Sequence, residues 1–213
     1  MALSKVDFNN INVTPAASKA LKFNSAADGF ETGDLGGNMV LLSTQTASSS
    51  ASLTFASGID STYKEYVFKC IDIHGATDNA ELQINFRDGS TAYDATKTTT
   101  FFRARHGEDD SLGNLVYDDG NDTAQGTGAQ ILMENAGADN DQALSGIVHL
   151  FDPSSTTFVK HFISDVSSIS GDNAADHFFV AGYCNVTAAI DGVQFSMSTG
   201  NIDSGVIKMY GIL

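Results

Sequence analysis

Side chains along most of this chain alternate with a period of two, a rhythm that strands follow and helices do not. It is plainest at 80–87, where Leu82, Ile84 and Phe86 fall on one side and Glu81, Gln83, Asn85 and Arg87 on the other. That pattern predicts a strand with one covered face and one wet face. The longest instance is QALSGIVHLFDPSSTTFVKHFISDVSS, residues 142–168. Leu144, Val148 and Leu150 alternate with Ser145 and His149 on its first arm. On the second, Phe158 and Phe162 share one face and Val159 and Ile163 the other. Between the arms, Asp152-Pro153 suits the first two places of a type I turn. The segment reads as an antiparallel hairpin near the centre of two packed sheets.

Similar runs recur roughly every 10 to 15 residues, separated by Gly, Asp and Ser turns, and no segment has the period of a long amphipathic helix. Residues 63–74 (YKEYVFKCIDIH) are apolar on both faces, with Tyr66, Phe68 and Cys70 on one and Val67, Ile71 and Ile73 on the other. This suggests a strand covered on both sides, partly by a neighbouring subunit, with Tyr66 and Phe68 expected at that interface. Residues 97–105 form another strand. The stretch 106–138 reads as long loops joining one or two short strands, and 177–184, 192–198 and 205–212 as the closing strands. The predicted fold is all-β: an antiparallel β-sandwich of jelly-roll type spanning 38–213.

Residues 1–37 differ. Val6, Phe8, Ile11, Val13, Leu21 and Phe23 stand singly among polar and small residues and end in Gly33-Asp34-Leu35-Gly36-Gly37. Such a segment buries little by itself, so it is expected to be an extended arm that attaches to a partner. The opening MALSKVDFNN has no apolar run, so no secretory leader is expected. No stretch reaches the roughly 18 apolar residues of a membrane helix.

Asp and Glu number 26 against 11 Lys and Arg, a formal net charge of −15. That balance argues against a phosphate-neutralising nucleic-acid face and against an anionic membrane surface. Cys70 and Cys184 each lie within an apolar strand, which suggests buried free thiols and folding in a reducing cytoplasm.

Signs of chemistry are sparse, and no catalytic residues are assigned. The acidic loop Asp118-Asp119-Gly120-Asn121-Asp122 offers carboxylates to Ca²⁺ through Asp118, Asp119 and Asp122, although it lacks the ligand order of an EF-hand. A solvated turn is the plainer reading of the same residues. Phe101, Arg103 and Arg105 share one strand face and could grip a sugar or an anion. Pairing of the arginines with nearby carboxylates is the alternative. His149 and His161 sit on opposite arms of the hairpin, but a zinc site would need two further ligands. Ser61-Thr62-Tyr63-Lys64 matches an acylating S-x-x-K motif only in letters, since β-rich sequence follows.

MALSKV at the start resembles the opening of many tailed-bacteriophage tail-fibre and appendage proteins. FSMSTGNIDSGVIKMYGI (195–212), IDSTYKEYVFKCIDIH (59–74) and HLFDPSSTTFVKHF (149–162) resemble segments of small phage virion proteins. The resemblance spans about residues 40–213. It implies a β-sandwich, self-assembly into a symmetric oligomer, commonly a homotrimer, and a place on the virion after assembly in the host cytoplasm. It carries no catalytic residues and no cofactor.

The leading expectation is therefore a non-enzymatic virion protein that other virion proteins hold through residues 1–37. Its sandwich would contact sister copies or a host-surface glycan. A capsid decoration protein is the second reading. A carbohydrate-binding module, motivated by Phe101 and the 106–138 loops, is the third.

Overall fold

The computed structural model describes residues 19–34 and 38–213. The chain divides into two units, Met1–Asn38 and Met39–Leu213. In the first, β1 (Lys19–Phe23) pairs antiparallel with β2 (Phe30–Asp34), Phe23 opposite Phe30. Their rings stack with centroids 4.9 Å apart, and Lys22 meets Glu31 at 3.3 Å. Of the residues expected to attach the arm, Val6, Phe8, Ile11 and Val13 lie outside the described residues. Leu21 and Phe23 sit on β1 and are exposed.

The second unit holds the remaining strands: β3 (Met39–Thr46), β4 (Ser52–Phe55), β5 (Glu65–Gly75), β6 (Ala80–Arg87), β7 (Lys97–Gly107), β8 (Gly113–Tyr117), β9 (Gln130–Ala136), β10 (Leu144–Phe151), β11 (Lys160–Ile169), β12 (Ala174–Cys184), β13 (Gly192–Met197) and β14 (Ile202–Ile212). Eight form one antiparallel sheet in the order β3-β14-β5-β10-β11-β12-β7-β8. Four form a second in the order β4-β13-β6-β9. The described residues contain no helix. The hairpin β10–β11 occupies the middle of the large sheet, where the alternation of residues 142–168 predicts it.

The two sheets meet across one apolar core. Alternation decides which residues enter it. From β5 come Tyr66 and Phe68, from β10 Val148 and Leu150, from β11 Phe162 and Val166, and from β12 Phe178 and Val180. The small sheet answers with Phe55, Leu82, Ile84, Phe86, Val193 and Phe195. Aromatic rings join the sheets: Phe68 lies 5.3 Å from Phe55 and 5.7 Å from Phe195, and Phe162 lies 4.9 Å from Phe86. Edge-to-face and tilted rings at such distances are the favoured aromatic geometries.

This corrects the expectation that Tyr66 and Phe68 face a neighbouring subunit. Both are fully buried, because the small sheet covers their side of β5. The Tyr66 hydroxyl accepts from the Asp60 amide at 2.9 Å and reaches the Asp60 carbonyl at 3.1 Å, so its polar end is satisfied inside the same chain.

Local departures from strict alternation shape the large sheet, and two of them change which side chains reach the core. Between β5 and β14, Asp72 and Ile73 oppose Gly205 alone, a β-bulge. Asp72 has φ 48° and Gly205 φ 112°. A Cβ on Gly205 would meet the Asp72 carbonyl oxygen at 2.5 Å, so both backbone angle and space call for glycine there. The extra residue turns Ile73 into the core while Ile71 stays outside. Sequence spacing alone puts them on one face. In the central hairpin, Ser155 donates its amide to the Asp152 carbonyl at 3.0 Å, closing the turn. β11 starts only at Lys160, however, and Phe158 projects from the loop 71% exposed instead of sharing a face with buried Phe162.

Candidate functional site

Strand β7 carries Lys97, Thr99, Phe101, Arg103 and Arg105 on one face, as the spacing predicts, but that face is the inner one. Phe101 is fully buried against Phe178, with centroids 5.7 Å apart, so its ring is not available to a sugar. Arg103 forms an ion pair with Glu134 on β9, and Arg105 with Asp172. Arg105 Nε also lies 3.1 Å from Asp176 Oδ1, but off the direction of a hydrogen bond, for neither atom has a hydrogen-bonding partner among the described residues. Burial raises the Asp176 carboxyl above its ordinary value, against the pull of Arg105 and then Arg103. These arginines close one end of the core instead of forming an exposed grip.

The acidic loop after β8 turns its carboxylates onto itself. Asp118 accepts from the Gly120 amide at 3.0 Å and from Asn121 Nδ2 at 3.2 Å. Asp122 accepts from the Tyr117 hydroxyl at 2.5 Å, and Asp119 is exposed. Among the described residues, no three His, Cys, Asp or Glu side chains gather as metal ligands would. The Ca²⁺ expectation for Asp118, Asp119 and Asp122 finds no coordinating geometry. His149 and His161 are likewise not paired. His149 Nδ1 bonds Glu65 at 2.5 Å, while His161 packs on Tyr183 with centroids 5.9 Å apart. Lys64 of the S-x-x-K match bonds Asp152 at the surface.

At the other end of the core lies a feature that the sequence did not reveal. Register places Lys97, Cys184 and Lys160 side by side on β7, β12 and β11, all three facing inward and fully buried. Lys97 Nζ donates to the Gly128 carbonyl at 2.7 Å. Lys160 Nζ donates to the carbonyls of Val186 at 2.7 Å, Ser155 at 3.1 Å and Phe158 at 3.4 Å. Backbone carbonyls thus replace the water that each ammonium leaves. Burial pulls Lys97 from an ordinary 10.5 down to about 8 and lowers Lys160 as well. It pushes the free thiols of Cys70 and Cys184 from 9.0 up to about 12.

The signs give a distinct pH profile. A lysine held below its unfolded value adds stability that is present above 10.5 and lost as pH falls through about 8. Thiols held above their unfolded value add stability that is present below 9.0 and lost as pH rises toward about 12. Unfolding by urea is therefore expected to show stability rising from neutral pH to about 9 and falling beyond it. Lys97→Met should shrink the rise to the part that Lys160 contributes and keep the fall. A flat profile below pH 9 in the unaltered chain would contradict this assignment.

The outer face of the large sheet is the candidate functional surface. Phe179 and Phe102 stack across β12 and β7 with centroids 5.1 Å apart, and Tyr117 extends the row on β8. His177 packs on Phe179 at 4.1 Å and bonds Asp165 at 2.5 Å. Lys69 lies over the Tyr210 ring, 5.6 Å from its centroid. Beside the stack, Thr98, Thr100, His161, Ile163, Ala181 and Tyr183 line an open groove of about 410 Å³. One signal in the sequence pointed here. The doublets Phe101-Phe102 and Phe178-Phe179 must each put one ring on either face, and the outward rings align. Protein-family models, curated protein sequences and solved structures were all compared with the chain, and none matches it.

Proposed function

We propose that this chain is a non-enzymatic structural protein of a bacteriophage virion. In this reading it is a tail-fibre or appendage component held through residues 1–37, projecting a jelly-roll sandwich formed by 38–213. Strand order is the observation that carries the reading. Leaving aside β7, β8, β11 and β12, the large sheet runs β3-β14-β5-β10 and the small one β4-β13-β6-β9. The chain changes sheet at every step from β3 to β6, again from β9 to β10, and again from β13 to β14. Two sheets wound together in this manner support the jelly-roll reading, a pattern used by viral capsid and lectin domains.

Two further observations support it. The segment 195–212, which resembles the end of phage virion proteins, supplies half of β13 and all of β14. The charged residues at the ends of the core engage one another or backbone carbonyls, as in a scaffold.

The test is location. Immunogold labelling of purified virions with an antibody to residues 38–213 is expected to mark tail appendages. Label over the capsid shell would favour a decoration protein instead, and particles without label would sink the proposal. Removing residues 1–37 is expected to abolish incorporation while the circular dichroism of the remaining β domain stays unchanged.

A further inference from the structure

We propose that the outer face of the eight-stranded sheet is the surface through which two copies of this chain meet, an inference that rests on the virion reading above and on the self-assembly which that resemblance implies. The first argument is charge. Within the four cross-strand rows from Glu65 to Ile71, the ladders expose Lys69 and Lys208 against Glu65 and Asp165, no net charge in a chain of −15. A basic partner would be drawn to acidic surface. Two chains that repel each other overall can close only over a face that carries no excess acid.

The second argument is extent. Seven strands about 4.8 Å apart and roughly eight residues rising about 3.4 Å each give a plan area of roughly 780 Å². A standard interface buries about 800 Å² per partner. Ile163, exposed beside β10, stands at the centre of that footprint, and exposed Phe102 stands toward its margin.

The third argument is register. Ile147 pairs with Lys69 on β5 and with Asp165 on β11, so the three form one straight row. Set two copies face to face about a twofold axis along β10, and Lys69 of each falls opposite Asp165 of the other. One row along, Tyr210 falls opposite Ala181, which lines the groove. A twofold contact must be complementary to itself, and this face is. Rotation about a strand axis also keeps the strands of both sheets aligned, as in aligned sheet packing.

Sedimentation of the full chain tests the surface. The unaltered protein is expected to sediment as a dimer or a larger assembly containing that dimer. Lys69→Glu and Asp165→Lys should each weaken association at least about tenfold, because like charges then meet twice per dimer. The double variant Lys69→Glu/Asp165→Lys should restore it to within about threefold, since the charges are exchanged and not lost. Thermal melts of all three should stay close to the parent. Single variants that associate normally would overturn this surface and leave self-assembly standing. Weakening without rescue would overturn the twofold register. An unaltered chain that stays monomeric at high concentration, including one whose groove binds a glycan, would overturn the surface and the self-assembling reading together.

Discussion

Phe68→Ala is expected to cost the folded chain about 3–5 kcal/mol, enough to unfold a marginal domain. Phe68 is fully buried on β5 and touches Phe55 and Phe195 on the opposite sheet. Truncation removes the ring that joins the two layers and leaves a cavity with rigid walls, since β5 is hydrogen-bonded on both sides. Urea denaturation should show a lower midpoint with an unchanged slope. Phe102→Ala is the control. Phe102 is 38% exposed on the outer face, and its loss should cost folding less than about 1 kcal/mol. Equal losses at the two sites would mean that the layers are not held as described.

Lys160→Ala should be comparably severe, about 3–5 kcal/mol, for a different reason. Its ammonium gathers the carbonyls of Val186, Ser155 and Phe158, tying the loop before β11 to the segment after β12. Alanine leaves those oxygens dry and a void beneath them. Lys160→Met keeps most of the volume, so it should recover the packing loss and leave the carbonyl loss. Limited proteolysis supplies a second readout, with cleavage around exposed Phe158 accelerating in both variants. Unchanged stability in Lys160→Ala would show that the carbonyls find water instead.

Much of the architecture was legible because the residues that face the core differ in kind from those that face water. Ala80–Arg87 and the first arm of the central hairpin show this directly. Where both faces are mixed, the alternation was present but its direction was not. On β7, Phe101 and Phe102 are indistinguishable by sequence. The neighbouring arginines made Phe101 look like the exposed ring. The acids that draw Arg103 and Arg105 inward lie about 30 and 70 residues away, at Glu134, Asp172 and Asp176, a proximity no local pattern encodes. Ile71 and Ile73 share a parity in the sequence, yet the bulge at Asp72 and Gly205 parts them. Buried Lys97 and Lys160 were invisible for the same reason as the arginines, since only the assembled sheet brings carbonyls to them. The outer stripe depends on the alignment of β7 with β12, and pairing partners were never part of the local signal.

β14 is synthesised after every other strand of the two sheets, yet it lies between β3 and β5, near the start of the domain. Until residues 202–212 leave the ribosome, β3 has no partner in the large sheet and β5 has one bare edge. Nascent chains would wait in an open, association-prone form that chaperones must shelter. A product cut short before Ile202 would lack the wedge that seals the larger layer. Only translation products that reach this strand would then close the larger layer, a proofreading step supplied by topology alone.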